Sequence, residues 1–245
     1  MTARIIAIAS GKGGVGKTWL AITLAHALTR TGQRVLLFDG DLGLANVDIQ
    51  LGLVPDADLS AVLAGQRKLE SAIIRLAAGG FDILPGRSGS GTLAGLEPAL
   101  LEAALAELRG AAARYDAVLL DLGAGIEHGP RRMTAFADEA LVVATAEPTS
   151  LTDAYAVLKL HAKDRPGGLA RIVVNLCASR QAGERTFETL RRACRAFLRT
   201  EPTLAGTIRR DERVPDAIRR QALLLQRHPA SAAGEDVEAL ARALL

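Results

Sequence analysis

The sequence predicts an α/β fold in three layers, with a mostly parallel central sheet flanked by helices. Three observations carry that expectation: short apolar runs recur along the chain, helical stretches separate them, and a glycine-rich loop joins the first run to the first helix. The runs are residues 3–9, 34–38, 81–84, 117–120, 140–144, 171–175 and, with weaker patterning, 204–208. Several are continuous in valine, isoleucine or leucine, as strands are when helices cover both faces of a sheet.

Helices are expected at 17–30, 98–112, 151–162 and 184–199. Pro98 suits a first helical turn, where its missing amide hydrogen costs little, and Leu101, Leu105 and Leu108 follow along one side. The segment Pro85-Gly86-Arg87-Ser88-Gly89-Ser90-Gly91 interrupts the chain before this helix. It reads as a surface loop in preference to an inter-domain linker, because the strand-helix rhythm continues across it. With 245 residues and no internal repeat, residues 1–245 read as a single domain.

Composition narrows the function classes. The only cysteines, Cys177 and Cys194, lie outside any CxxC spacing and lack a histidine cluster, so neither a disulfide framework nor a zinc site is expected. They read as small buried residues. The first apolar run is broken by Ser10 and Lys12, too early for a signal peptide or a membrane span, and a cytoplasmic location is expected. A formal charge of +3 permits contact with nucleic acid or acidic lipid without indicating either. There are 25 arginines and only five lysines, and two of those lysines, Lys12 and Lys17, stand in the glycine-rich loop.

That loop is Gly11-Lys12-Gly13-Gly14-Val15-Gly16-Lys17-Thr18, between an apolar strand and an apolar helix. Backbone amides can turn inward around phosphate oxygens only where side chains do not intervene, and the four glycines leave that space. Lys17 would set its ammonium against the β and γ phosphates of ATP, and the Thr18 hydroxyl would take a coordination position on Mg2+. A purely structural glycine turn or a dinucleotide fold would leave the Lys17-Thr18 pair without a role. Lys12 is either a solvent-facing cation or one that reaches the phosphate of an apposed subunit, which would imply an ATP-dependent homodimer. Two further runs end in acids, 35–38 at Asp39-Gly40-Asp41 and 118–120 at Asp121. Open α/β sheets bind ligands at the carboxyl ends of their strands. Asp121 is therefore placed beside the magnesium, and Asp39 and Asp41 near the metal-bound and attacking waters, each with an ordinary turn acid as the competing reading. The expected reaction is attack of water on the γ phosphate, giving ADP and phosphate.

These motifs resemble the deviant Walker A ATPases related to MinD and ParA, which share the three-layer P-loop NTPase fold. Lys12 matches their extra signature lysine, residues 39–48 their first switch region and residues 121–126 their second. The resemblance narrows toward the FlhG branch, also called FleN, of MinD-like regulators of flagellar number and placement. The segments supporting it are 43–48, 123–126, 147–155, 173–176 and 214–221, spread over nearly the whole chain. The resemblance implies a nucleotide cradle from Gly11, Lys12, Gly13, Gly14, Val15, Gly16, Lys17 and Thr18 to Trp19, with Lys12 contacting the partner's nucleotide. It implies that Lys12, Lys17 and Asp41 serve hydrolysis, and that Thr18, Asp39, Asp41 and Asp121 serve the metal and switch network. Asn175 would contact the base, and Arg209-Arg210-Asp211 would close over adenine; a strand cap and solvated surface residues are the alternatives. Asp153, early in a helix, would lie near the dimer and partner surface or act as a first-turn acid. Implied partners are a flagellar SRP-type GTPase and a flagellar transcription activator. A positioning ATPase for division, DNA or cargo, and a nucleotide-dependent interaction module that does not hydrolyse ATP, are the alternative functions.

The chain departs from that branch at two places. No glutamine-containing N-terminal extension is expected, since Met1 is followed almost at once by the first strand. Near the end, Val237, Leu240 and Leu244 have helical spacing, but Glu235, Asp236 and Glu238 oppose attraction to an anionic bilayer. Packing against the domain is expected there, with reversible peripheral membrane contact the alternative. From 180 to 227 there are 12 arginines against six acids, a surplus read as a solvated face or protein-docking surface ahead of a nucleic-acid site.

Overall fold

The computed structural model describes residues 3–41, 44–86 and 97–245. The chain starts with β1 (Arg4–Ser10), the glycine loop and α1 (Lys17–Thr29), followed by β2 (Val35–Gly40). Three short helices come next, α2 (Val47–Leu51), α3 (Leu59–Leu63) and α4 (Leu69–Ala72), and then β3 (Ile74–Leu76) and β4 (Phe81–Leu84). The central part is α5 (Pro98–Ala112), β5 (Ala117–Ala124), α6 (His128–Phe136), β6 (Glu139–Ala144), α7 (Pro148–Asp164) and β7 (Leu169–Cys177). The rest is α8 (Arg180–Ala193), β8 (Thr203–Arg209), α9 (Arg213–Arg219), α10 (Leu224–Arg227) and α11 (Ala232–Leu244).

These strands form one eight-stranded sheet in the order β3-β4-β2-β5-β1-β6-β7-β8. Only β3, at one edge, runs antiparallel, against β4. All seven expected strands are present, and β3 is an addition. The residues buried on the two faces form two separate apolar layers. One holds residues of α3 to α8, including Leu105, Met133, Val157 and Phe187. The other holds those of α1, α10 and α11, including Leu20, Leu24, Leu224, Val237 and Leu240. Strands covered on both sides explain the unbroken apolar runs, and β2 and β6 are buried at every position.

Helix starts fall earlier than their apolar spacing suggests. Helix α7 begins at Pro148 instead of 151, because Pro148 takes the first helical position. Helix α8 begins at Arg180 instead of 184, because the Ser179 side chain accepts the Ala182 amide as an N-cap. It continues through a single π-helical turn at Cys194–Leu198 and stops at Arg199 in the left-handed region. Of the glycine-rich interruption, Pro85 and Gly86 are described, and the remainder of that reading lies outside the described residues. Gly86 sits where a side chain would meet Ala45 and Asp39, so this end of the loop is pressed against the first switch segment.

Helix α11 buries Val237, Leu240, Ala241 and Leu244 against β8 and α1. Its apolar stripe is therefore used inside the protein, as packing against the domain requires. None of the described helices is long and apolar enough to cross a membrane.

Candidate nucleotide-binding site

The glycine loop leaves the carboxyl end of β1 in the middle of the sheet and turns into α1. Gly14 at φ 76° and Gly16 at φ 88° occupy the left-handed region that favours glycine. The loop is also wedged from both sides. A β-carbon on Gly11 would lie 2.5 Å from the Asp153 carbonyl oxygen of α7, and one on Gly16 would lie 2.6 Å from the Asn175 amide nitrogen at the end of β7. Asn175 is buried beneath the loop, where its Nδ2 donates to the Val15 carbonyl at 2.8 Å and its Oδ1 accepts the Leu176 amide. Gly16 caps α1 without a side-chain hydrogen bond, leaving first-turn amides directed to the loop's hollow. Such amides, with the helix dipole behind them, favour an anion. The Trp19 indole packs in the apolar layer under α1, so only its backbone faces the loop.

Lys17 is buried and donates to the Ser10 hydroxyl at 2.8 Å, while Ser10 in turn donates to the Lys12 carbonyl at 2.7 Å. Burial lowers the Lys17 pKa, and attraction to Asp121 and then Asp41 opposes that shift. The acids arrive through sheet register. Strand β5 lies between β2 and β1, with Asp39 and Asp121 as register partners and Ile8 of β1 opposite Asp121. Both carboxylates are buried. Asp39 accepts the Asn46 and Val47 amides on Oδ2, each at 3.1 Å, and the Asp41 amide on Oδ1 at 3.3 Å, so it anchors the first switch segment to β2. Asp41 accepts the Leu44 amide at 3.0 Å and approaches Gly123 at the end of β5, linking the two switch segments. Leu42 and Gly43, within the first switch reading, lie outside the described residues.

Asp121 carries the clearest ligand signal. One of its oxygens takes the Thr18 hydroxyl, but buried Oδ1 has no hydrogen-bond partner among the described residues. Burial, then the nearby Asp39 charge, pushes the Asp121 pKa up to about 8; burial likewise pushes Asp39 up to about 7 against the amides that bind it. An uncompensated buried carboxylate oxygen beside a hydroxyl and an ammonium fits a hard cation. Among the described residues no three acid, histidine or cysteine side chains converge on one metal position. Mg2+ bound with a nucleotide needs only one or two protein oxygens, since phosphate and water supply the rest. Thr18 and Asp121 meet that requirement.

The raised acids set a pH dependence. In the folded state Asp39 and Asp121 keep protons that the unfolded chain releases near pH 3.8, so their stabilising contribution is complete below that pH and is lost as pH rises through about 7 to 8. Buried His26 and His161 have lowered pKa values and oppose this trend below their unfolded value of 6.5, and Lys17, also lowered, opposes it toward its unfolded value of 10.5. Stability of the nucleotide-free protein is therefore expected to fall between pH 6.5 and 8.5, measured by chemical denaturation, and Asp121→Asn should flatten the slope. A wild-type curve that rises over this window would contradict the assignment of these two buried acids.

Lys12 points along the surface and forms an ion pair with Glu147 and a 3.0 Å hydrogen bond to Thr149, both at the start of α7. That contact holds the exposed Glu147 carboxyl below its usual range. Arg209 and Asp211 are turned toward α11. Arg209 pairs with Asp236 and Glu235, and Asp211 accepts the Ser231 hydroxyl at 2.7 Å and the Ala233 amide. Their side chains are thus engaged in the fold, and a contact with adenine would use the backbone between them. Lys17, Thr18, Asp39, Asp41 and Asp121 are brought together, and Asn175 underlies the loop. Sequence reasoning missed Ser10, Glu147 and Asp236. For Ser10 a local signal existed, since it is the polar residue that closes the apolar strand immediately before Gly11.

Residues 6–224 match the CobQ/CobB/MinD/ParA nucleotide binding domain. The antiactivator FleN of Pseudomonas aeruginosa is 36% identical over 239 residues, covering 98% of this chain and 85% of that protein. The flagellum site-determining protein YlxH of Helicobacter pylori is 33% identical over 187 residues, covering 76% of this chain and 63% of that protein. Among solved structures, the septum site-determining protein MinD of Pyrococcus horikoshii, complexed with Mg-ADP, superposes with a TM-score of 0.82 at 28% identity, covering 99% of this chain and 96% of that one. The chain belongs to the CobQ/CobB/MinD/ParA family of nucleotide-binding domains and is an ATPase of its MinD-like and FleN-like side.

Proposed function

We propose that this protein is a dimerisation switch that binds MgATP, hydrolyses it slowly, and regulates flagellar number or placement. The observation that carries the nucleotide chemistry is the buried, partnerless Asp121 Oδ1 beside Thr18 and Lys17 at the mouth of the glycine loop. Loop amides from Gly11 to Trp19 receive the phosphates, and Lys17 moves its ammonium from Ser10 toward the β and γ oxygens. Thr18 and Asp121 would hold Mg2+, which when bound would supply positive charge to offset that of the triphosphate. Asp41 orients the attacking water, and Asp39 keeps the segment that carries Asp41 fixed to the end of β2. No side chain here is an activated nucleophile, so positioning and charge stabilisation do the catalytic work.

The homodimer reading rests on Lys12, which stands at the surface and, among the described residues, is paired with Glu147 and Thr149. The flagellar reading rests on the likeness to the antiactivator FleN across 98% of the chain, and we infer a transcription activator and, from the family resemblance, a flagellar SRP-type GTPase as its partners. Sedimentation should show mass doubling with a slowly hydrolysed ATP analogue and Mg2+, and no doubling for Lys12→Ala. Turnover should fall at least tenfold in Asp41→Ala. Monomer under saturating nucleotide counts against the switch, and normal flagellar number in a deletion strain counts against the flagellar role.

A further inference from the structure

We infer that Gln221 is a positioning residue for ATP hydrolysis, acting by fixing the far end of the first switch segment. The claim deepens the reading of Asp39 and Asp41 given above and rests on it.

Helix α2 has five residues, of which only Val47 and Asp48 are buried, while Ile49 is 54% exposed. So short a helix does not hold itself in place. Its first end is tied to β2 through the two amides that Asp39 accepts at 3.1 Å. Its second end closes on Gly52 at φ 64°, with Gly52 N donating to Ile49 O and Leu53 N to Asp48 O. The Ile49 carbonyl takes a second donor from far along the chain, the Gln221 side-chain amide, at 3.0 Å. Gly52 is fitted to that contact, since a β-carbon there would lie 2.7 Å from the Gln221 side-chain oxygen.

The backbone at Gln221 says why a glutamine matters. Helix α9 ends with Gln221 N donating to Ile218 O and Ala222 N to Ala217 O, a paired closure that puts residue 221 in the left-handed region. Glycine is the residue that closure favours, yet Gln221 occupies it at φ 50°. The side chain is kept where its backbone would sit more easily without one, and it is spent on the switch helix. Asp41 lies between β2 and α2, in the stretch that the Asp39 tie closes at Asn46 and Val47, so the Gln221 tie acts on it through α2, whose first end bounds that stretch. Residues 209–211, the segment expected to close over adenine, lead into α9 and so to the same tether.

The test uses variants that should not harm folding. Gln221→Gly removes the amide and suits the backbone, and Gln221→Asn keeps an amide but falls one methylene short. Both are expected to melt no lower than wild type, to bind MgATP with a KM within about twofold of wild type, and to lower kcat by roughly three- to tenfold, the range set by one hydrogen bond. Amide exchange over residues 47–53 should quicken in both. Wild-type kcat in both variants overturns the inference even if Asp41→Ala is inactive, which would leave the hydrolytic reading standing. If wild type itself turns over no ATP, that reading fails, and unchanged exchange at 47–53 then overturns the tether as well.

Discussion

Lys17→Met is expected to lower MgATP affinity by about two orders of magnitude while leaving the folded state intact. The ammonium is buried at the floor of the loop, donates to Ser10, and is attracted by Asp121 and Asp41. On nucleotide binding it exchanges those contacts for phosphate oxygens, and each charge-assisted hydrogen bond of that kind is worth about 1.5–3 kcal/mol. Methionine keeps most of the volume and has no charge to strand, so the apolar layer beneath α1 need not rearrange. The nucleotide-free stability should change little, because loss of the Ser10 and Asp121 contacts is offset by removal of a desolvated cation. Without that cation Asp121 becomes still harder to ionise, since attraction to Lys17 is one of the forces holding its pKa down. Magnesium binding should therefore release more protons in Lys17→Met than in wild type, an amount that calorimetry in buffers of different ionisation enthalpy measures. ADP, lacking the γ phosphate, should lose less affinity than ATP. An ATP affinity within threefold of wild type would remove Lys17 from the phosphate site.

The parts of this site that could be read in advance are those set by spacing within a few residues of a strand end. Gly11 to Thr18 is such a unit, and so are Asp39 and Asp121, because a buried parallel strand shows its apolar run and the acid follows directly. Their adjacency comes from the order β2-β5-β1, which brings Asp39 and Asp121 into register from 82 residues apart in the chain. The contacts that tune the site are long-range and have no local pattern: Glu147 on Lys12, Asn175 under Val15, Gln221 on Ile49. In the fold, β3 escaped notice because it is three residues long with Arg75 at its centre, and it exists only by pairing back onto β4. Helices α2, α3 and α4 are four or five residues each, too short for periodicity, and are held by burial of Val47, Leu59 and Leu69. Arg209 and Asp211 are the instructive case: the family resemblance implied that residues 209–211 close over adenine, and their side chains are engaged with α11.

That engagement makes Asp236→Ala the substitution with the largest expected effect on stability. Asp236 has a side chain only 1% exposed, at the start of α11, and accepts from Arg180 at 2.6 and 2.9 Å and from the Arg209 side chain at 2.7 and 3.0 Å. It also accepts the Arg209 backbone amide at 3.0 Å. Burial alone would raise its pKa, but the Arg209 and Arg180 hydrogen bonds outweigh burial and lower it. Its stabilising contribution is therefore present above the unfolded carboxylate pKa and lost as pH falls through the lower folded value. Removing one partner of a buried ion pair costs about 3–5 kcal/mol. Here Arg180 is 58% exposed and Arg209 keeps Glu235, so a loss of about 2–4 kcal/mol is expected after allowing for solvent. Denaturant titration at pH 7 measures it. The same acid holds the Arg209 backbone amide at the start of residues 209–211, so if that backbone contacts adenine, Asp236→Ala should weaken ATP binding more than binding of tripolyphosphate, which has no base. Equal losses for both ligands would confine Asp236 to anchoring α11 and would take residues 209–211 out of base recognition.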